Sequence, residues 1–267
     1  MLFAKPDVMH NYKIFLPLIV FIFFFQIKGY SQFGIAHEIA VKAGPASFFT
    51  DYGERWNVKN NLNNAGYGIG ISHYMNFAYK TDCHYSQAAS FFTNHFRIRN
   101  ELDYFYSKLE HFGPVARKKT IGGQLLRAMH GESEIIEGGI HLEYHPFRIR
   151  DFTHSGYMFS PYISLGGHFV SYKADAYSDL GSLENPKNVF PTFIGGMDFE
   201  RGSTYSIVGG LGVRYRLGFR HDLLIEARGQ YYGSDWIDGL NINAPQNKFN
   251  DYIFWLNVGY VYYINFQ

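Results

Sequence analysis

Two pairs of residues near the middle of the chain have side chains that could carry out acid–base or nucleophilic chemistry: His141 with Glu143, and Ser164 with His168. Such catalysis needs a histidine within hydrogen-bond reach of a carboxylate or a serine. Both pairs lie in segments that alternate like β-strands, where residues four apart are separated by ~13 Å. Ser164 and His168 therefore cannot hydrogen-bond directly along one strand, and we expect no catalytic residue.

Features typical of metal and cofactor sites are weak. His37-Glu38 lacks the second histidine of an HExxH motif, and the 12 histidines show no metal-ligand spacing. The glycine-rich stretches 66–70 and 209–212 resemble phosphate-binding loops, but they fall within alternating segments, where glycine relieves crowding. The single cysteine, Cys83, cannot form an intrachain disulfide. We expect no metal and no cofactor.

A set of charged residues suggests a different role for the polar positions. Six acids and six bases occupy one face of the alternating segments, and apolar residues occupy the other face. The set is Glu38, Lys42, Arg97, Arg99, Glu101, Asp103, Glu137, Glu143, Arg214, Arg216, Glu226 and Arg228. Near-equal numbers of both signs can satisfy one another when buried. We predict that these residues form a salt-bridge network in a closed interior.

The alternation is clearest in the last sixteen residues, 252–267. Every second residue from Tyr252 to Phe266 is apolar or aromatic, whereas the residues between them are smaller or more polar. Seven earlier segments show the same pattern: 35–43, 67–79, 96–106, 136–144, 162–172, 205–216 and 223–232. The sequence thus predicts an all-β fold, an eight-stranded antiparallel transmembrane up-and-down β-barrel with a charged, side-chain-filled lumen.

The length of the apolar stripes favours a bilayer. Tyr205 and Tyr215 bracket one stripe, and ten residues at ~3.3 Å, tilted by ~40°, rise ~25 Å. A lysine or arginine facing lipid at mid-membrane would cost ~2–4 kcal/mol, which assigns the charged face to the lumen. The alternative is a soluble sandwich or lipocalin-like barrel, whose core would have to accommodate many tyrosine hydroxyls.

The connections are predicted to alternate between long and short. If the N-terminus is periplasmic, the long loops 50–66, 111–132, 174–203 and 233–250 face outward, and the shorter connections 146–157 and 218–221 face the periplasm. The connection 80–94, which contains Cys83, is longer than this pattern predicts. His73 lies in mid-stripe on the lipid-facing side, where it fits the apolar pattern worst, and we consider it a possible contact with a partner protein.

The start of the chain has the pattern of an export signal. Lys13 precedes an apolar run, 14–25, and Gly29-Tyr30-Ser31 supplies small residues at a cleavage point. Twelve apolar residues are short of the ~20 that a membrane-spanning helix needs. We therefore predict a signal peptide at 1–31 and a barrel domain at 32–267, with Met1 or Met9 as initiator. The net charge of +1 gives no reason to expect a nucleic-acid partner.

Several stretches resemble a family of Bacteroidota outer-membrane β-barrel proteins. These stretches are His37–Ile39, Gly68–Ile71, Tyr104–Phe112, Leu126–Glu132 and Asp235–Leu240. More distantly, the chain resembles PorG-type barrels, which accompany the type IX secretion and gliding machinery, and the OmpA and OmpX barrels. The resemblance implies export to the cell outer membrane, contact with outer-membrane lipid, and a secretion complex or another envelope protein as partner.

The sequence favours a non-enzymatic structural or interaction protein of the outer membrane. Two alternatives remain open. One is a lipid-modifying barrel enzyme, an acyltransferase or a deacylase, which would use residues such as His141, Glu143 and His168. The other is a small pore, which the narrow lumen of an eight-stranded barrel disfavours.

Overall fold

Eight antiparallel strands close into a barrel in the computed structural model, which describes residues 35–55, 57–77, 91–153, 157–242 and 248–264. Each strand pairs with the next along the chain, and β8 pairs with β1. The strands are β1 Ala36–Phe49, β2 Ala65–Asn76, β3 Phe96–Glu110, β4 Met129–Tyr144, β5 Phe159–Ser178, β6 Gly202–Gly218, β7 His221–Tyr232 and β8 Tyr252–Tyr263. The predicted fold class is confirmed. The predicted signal peptide, 1–31, and Cys83 lie outside the described residues.

Several strands are longer than the apolar stripes that predicted them. β3 runs to Glu110, and β4 begins at Met129, seven residues before the predicted start at 136. The added residues are mixed in polarity, yet they continue the backbone ladder, as in the pair of Lys108 with Glu132. Backbone pairing does not require apolar side chains, so the strands extend beyond the stripe that the sequence displays.

The outer wall of the barrel is apolar and the inner wall is polar, which is the reverse of a soluble barrel. Leu165 and Phe169 of β5 are 66% and 69% exposed, and similar residues recur on the other strands. The closed ladder pairs the backbone groups between strands, so hydrocarbon can surround the wall without leaving polar groups unsatisfied. These two properties are those of a barrel that spans a membrane.

The connections lie at two ends of different character. The four at one end are long (50–64, 111–128, 179–201 and 233–251), and those after β4 and β6 at the other end are shorter (145–158 and 219–220). The connections contain short helices that the sequence did not predict. α1 Val58–Asn61 and α3 Ile121–Ala128 lie in the first two long loops, α2 Phe91–His95 directly precedes β3, and α4 Ile149–Thr153 follows β4. Within the described part of the chain, no helix is long and apolar enough to cross a bilayer.

The long loops fold over their end of the barrel and form an apolar cap. Its buried members come from the strand ends and from all four loops, including Phe48, Leu126, Val189, Phe193 and Leu240. Inside the wall below this cap, Trp255 and Phe105 meet edge to face with ring centroids 4.9 Å apart. A Cβ at Gly68 would lie 2.6 Å from the Phe105 ring and 2.8 Å from the Trp255 ring, so only glycine leaves room for both.

The apolar exterior leads to a prediction about stability. Leu165 pairs with Leu142 on β4 and with Gly209 on β6, near the middle of the stripe between Tyr205 and Tyr215. Replacing Leu165 with Arg should lower the free energy of unfolding in phospholipid vesicles by about 2–4 kcal/mol, because a charge would face hydrocarbon.

The matched control is Leu180→Arg, in the long loop 179–201, which should change the free energy of unfolding by less than about 0.5 kcal/mol. Guanidinium titration followed by tryptophan fluorescence measures both. Equal costs for the two variants would show that lipid does not solvate the barrel wall.

Candidate functional site

The charged residues predicted to face inward do lie inside the barrel. Eleven of the twelve are buried, and Arg97, Arg99, Arg214 and Arg228 are among the largest fully buried side chains. Arg216 differs from the prediction. It is half-buried near the end of β6, where its guanidinium lies 4.8 Å from the centre of the Phe152 ring. At this position the lumen opens towards the short connections, so Arg216 packs on α4 and does not join the network.

Arg99 connects the two halves of the network. Its Nη1 lies 2.9 Å from Glu143 Oε1 and 2.6 Å from Glu226 Oε2, and its Nε lies 3.1 Å from Glu101 Oε2. These acids project from three different strands, β3, β4 and β7. A planar guanidinium can donate to several carboxylates at once, so Arg99 holds opposite walls of the barrel together.

The half of the network nearer the cap is built around Glu101 and Trp255. Lys42 Nζ lies 2.6 Å from Glu101 Oε2, and Arg228 Nη1 lies 2.7 Å from Glu101 Oε1 and 2.9 Å from Asp103. Lys42 and Arg228 also lie 5.0 and 5.3 Å from the centre of the Trp255 ring. Both cations therefore have carboxylate partners and an aromatic face, which together offset much of the cost of burying them.

The half nearer the short connections is built around Arg214. Its guanidinium donates to Glu38, lies 3.6 Å from Glu143 Oε2, and stacks 4.2 Å from the centre of the Tyr74 ring. Asp222 approaches Arg214 at 3.9 Å and was not predicted to join the network. The predicted connection ended at 221 and the predicted strand began at Leu223, whereas β7 begins at His221 and so includes Asp222.

The residues first considered for catalysis also belong to this network. Arg99 Nη2 lies 3.2 Å from His141 Nδ1 and 3.5 Å from Ser164 Oγ, and His141 Nε2 lies 2.7 Å from His168 Nε2. The expectation that Ser164 and His168 are too far apart along the strand did not consider contacts between strands. His141 and His168 meet diagonally across the β4–β5 pair, where Gly139 and Gly166 stand opposite them and leave space for the rings.

Two groups of lumen side chains have the spacing of metal ligands: Glu101, His141 and His168 together, and Asp103, Glu137 and His168 together. The sequence reasoning missed both, because their members lie on different strands. The first group does not fit a cation well. Arg99 can only donate, so His141 Nδ1 accepts, and neutral His141 carries its proton on Nε2, the atom that would bind the metal. The group of Glu101, His141 and His168 therefore favours hydrogen bonds over a metal ion.

A serine, a histidine and an acid also form a chain of contacts that the sequence did not reveal. Ser160 Oγ lies 3.0 Å from His145 Nδ1, and His145 Nε2 lies 3.4 Å from Glu143 Oε2. This order of groups is that of a nucleophile, a base and an orienting acid. However, Ser160 is 1% exposed, and Glu143 is also bound by Arg99, so a substrate has no approach unless lumen side chains move.

His73, predicted to face lipid and considered as a partner contact, is half-buried on the outside of the barrel. Its Nε2 lies 3.0 Å from His37 Nδ1 on β1, and its Nδ1 lies 3.5 Å from Asn100 Nδ2 on β3. The two imidazoles stack with their centres 5.2 Å apart. His73 thus has polar neighbours within its own wall, and these reduce the cost of placing it in lipid. A partner contact at His73 stays a prediction.

A second group of buried charges lies in the cap, outside the membrane-spanning strands. Arg55 Nη2 lies 3.0 Å from Asp51, 2.8 Å from Asp235 and 3.0 Å from Asp251. Asp238 accepts from the Asp51 backbone N–H at 2.8 Å, which ties the first long loop to the fourth. Burial, followed by the Asp238 carboxylate, raises the pKa of Asp51 to about 9, and burial raises the pKa of Asp238 to about 7.

Comparison with known proteins adds little beyond the architecture. No protein-family model matches the chain, and no curated protein matches it. The fold is similar to Ail, the attachment invasion locus protein of Yersinia pestis, with 13% identity and a TM-score of 0.40 over 85% of this chain and 99% of Ail.

Two other solved structures are similar to a comparable degree. A major outer membrane protein of Thermus thermophilus has 12% identity and a TM-score of 0.45 over 86% of this chain and 100% of that protein. The outer membrane protease OmpT of Escherichia coli has 7% identity and a TM-score of 0.35 over 86% and 96%. These TM-scores are too low to support an argument about the fold. The assignment of eight strands therefore rests on the strand pairing of this chain.

The position of Arg99 leads to a prediction about the lumen. Arg99→Met should lower the free energy of unfolding by about 3–5 kcal/mol, because it leaves Glu101, Glu143 and Glu226 short of a buried partner. The half-buried Arg216→Met is the control and should cost less than about 1 kcal/mol.

If Arg99→Met fails to fold, the double variant Arg99→Met/Glu226→Gln should recover folded protein, because it removes one of the uncompensated charges. Heat-modifiable gel migration scores folding, and guanidinium titration scores stability. A double variant less stable than Arg99→Met would contradict the assigned role of Arg99.

The cap acids lead to a prediction about pH. Their carboxyls bind protons more tightly in the folded cap than in an unfolded loop, where the pKa of Asp is about 3.9. Their contribution to stability is therefore fully present below about pH 4 and is lost as pH rises through the folded pKa values of about 7 and 9. The cap should open more readily at pH 9 than at pH 6.

Hydrogen exchange of backbone amides in 50–55 and 235–242, corrected for the intrinsic pH dependence of exchange, measures this opening. Asp51→Asn, which mimics the protonated acid, should flatten the pH dependence. Asp198→Asn, at an exposed acid of the long loop 179–201, should leave the pH dependence unchanged. Faster opening of the cap at pH 6 than at pH 9 would contradict the expected direction of the pH dependence.

Proposed function

We propose that this chain is a non-enzymatic barrel of a bacterial outer membrane that acts as a structural or interaction protein. One observation carries the proposal: the lumen is filled by paired charges and large rings, and the long loops cover one end with an apolar core. A barrel of this kind offers its outer surfaces for recognition and has no wide path for a solute. Placement in the outer membrane is supported by the apolar exterior, because closed barrels with lipid-facing walls belong to that membrane in bacteria.

The proposed partners follow from the two ends. The long loops would face outward and meet an external ligand, whereas the short connections would face the periplasm and meet an envelope protein. The resemblance to PorG-type barrels suggests a type IX secretion or gliding complex as that protein. On this side α2 presents two exposed aromatic residues, Phe91 and Phe92, beside Phe96. These residues suit either a protein contact or the membrane interface.

The test has two parts. Membrane fractionation, with heat-modifiable gel migration of the extracted protein, should place the folded chain in the outer membrane. Reconstitution in planar bilayers should give no stable ion conductance, since the lumen is filled. A water-soluble monomer in the first part would contradict the membrane assignment, and steady conductance in the second would favour the pore.

A lipid-modifying or hydrolytic enzyme is the second candidate, because Ser160, His145 and Glu143 lie in the order of a catalytic triad. A fluorophosphonate probe on the folded protein, with Ser160→Ala as control, tests this chemistry. Mass spectrometry of membrane lipid A from cells with Ser160→Ala, or with His141, Glu143 and His168 replaced by alanine, tests the substrate. Labelling that Ser160→Ala abolishes, or an altered lipid profile, would favour the enzyme.

A further inference from the structure

A cavity of about 500 Å³ opens between the first two long loops, outside the lumen and away from the cap acids. It is lined by α1 and the segment after it, by the end of β3 with the residues that follow, and by Arg127 of α3. This volume lies in the range of small-molecule sites, roughly 300–1,000 Å³.

The charges of the lining are unlike those of the lumen. Three bases, Lys59, Arg117 and Arg127, face one acid, Glu110. Lys59 and Arg117 are exposed, so water hydrates them when the cavity holds no ligand. Arg127 Nη1 donates to the Lys118 carbonyl at 3.0 Å and also to the Ala116 carbonyl, which fixes the loop that carries Arg117. The cavity therefore presents a surplus of positive charge on a fixed frame.

The floor of the cavity carries polar atoms that lack partners. Asn60 is 3% exposed and His111 is 9% exposed, and Asn60 Nδ2 and His111 Nε2 have no hydrogen-bond partner among the described residues. A buried polar group without a partner costs about 1–3 kcal/mol. Both atoms are buried, so a ligand with hydroxyl or carbonyl groups reaches them only if the Asn60 and His111 side chains turn towards the cavity.

His111 is held as a neutral hydrogen-bonding group. Its ring stacks between Tyr52 and Phe193, with centres 4.6 and 5.0 Å apart. Burial, with a smaller effect of His130, lowers the pKa of His111 to about 3. A neutral imidazole carries no charge, so His111 does not add to the positive charge of the cavity wall.

We propose that this cavity binds a phosphorylated sugar. Lys59 and Arg117 neutralise the phosphate. Asn63, which is exposed in the lining, hydrogen-bonds to the sugar hydroxyls. Phe112 and Ala116, which also line the cavity, offer apolar surface to the C–H groups of the ring. The proposal depends on the cavity alone and holds whether or not the barrel lies in an outer membrane.

The test is calorimetric titration of the folded full chain in lipid-free detergent micelles with glucose 6-phosphate, and with glucose and inorganic phosphate as comparators. We expect saturable binding of glucose 6-phosphate at one site, and at least about tenfold weaker binding of either comparator, because each makes only part of the contacts. No saturable binding of glucose 6-phosphate overturns the proposal. Equal affinity for inorganic phosphate overturns the sugar component.

Two double variants with the same change in charge place the site. Lys59→Gln/Arg117→Gln should weaken binding about tenfold, since each of its two substitutions removes an exposed cationic contact with the phosphate. Lys118→Gln/Lys119→Gln removes two equally exposed cations of the same loop that do not line the cavity, and it should change affinity by less than about twofold. Equal weakening by both variants would show attraction by net charge only and would overturn the site.

Two further measurements resolve the ligand. Asn63→Ala should weaken binding of glucose 6-phosphate and leave that of inorganic phosphate unchanged. A loss of both in equal proportion would contradict the role of Asn63. Lipid A, a phosphorylated disaccharide on acyl chains, is then added to the micelles as a competitor. Displacement of glucose 6-phosphate indicates a membrane glycolipid as the natural source, and failure to compete indicates a soluble sugar; both support the phosphorylated-sugar chemistry.

Discussion

The structure depends on the pairing of buried charges inside a wall that hydrocarbon surrounds. A charged side chain on the outer face would cost several kcal/mol, so every strand must turn its charges inward. Inside, the lumen is too narrow to hydrate them, so they must find each other. The barrel can therefore close only if the buried charges of its strands pair with one another. Arg99 contributes to both closure and pairing because it contacts acids from three strands.

This constraint explains why the fold was predictable from the sequence and the site was not. Alternation of polarity predicts each strand and its inward face, and eleven of the twelve charged residues that it assigns to that face are buried. It does not say which acid meets which base, because that depends on the register between strands. His141 and His168 show the limit: 27 residues separate them in sequence, and they meet only because β4 and β5 pair as they do. Gly139 and Gly166 were the available signal, since a glycine inside a strand often marks a close approach.

The cap was unpredictable for a different reason. The long loops have no periodicity, and their short helices are held by contacts between loops that are distant in sequence. Asp51 receives hydrogen bonds from Ile242 and Arg55, and Asp238 receives one from the Asp51 backbone. A segment whose structure depends on such partners shows only a polar composition, so the sequence indicated loops and nothing more specific. The predicted start of β7 at Leu223 was two residues late for the same reason: Asp222 is polar because it faces Arg214, so it does not extend the apolar stripe.

The balance of charge differs between the lumen and the cavity in the long loops. The strands bury seven acids and five bases, so each lumen cation has at least one carboxylate neighbour and no net attraction for an anion remains. The cavity between the first two long loops has the opposite balance, three bases and one acid. Because the strand ends and the cap hold these loops in place, a ligand would meet a preformed surface and little ordering entropy would oppose its binding. The proposed recognition therefore lies in the loops, and the barrel supplies the rigidity that such recognition needs.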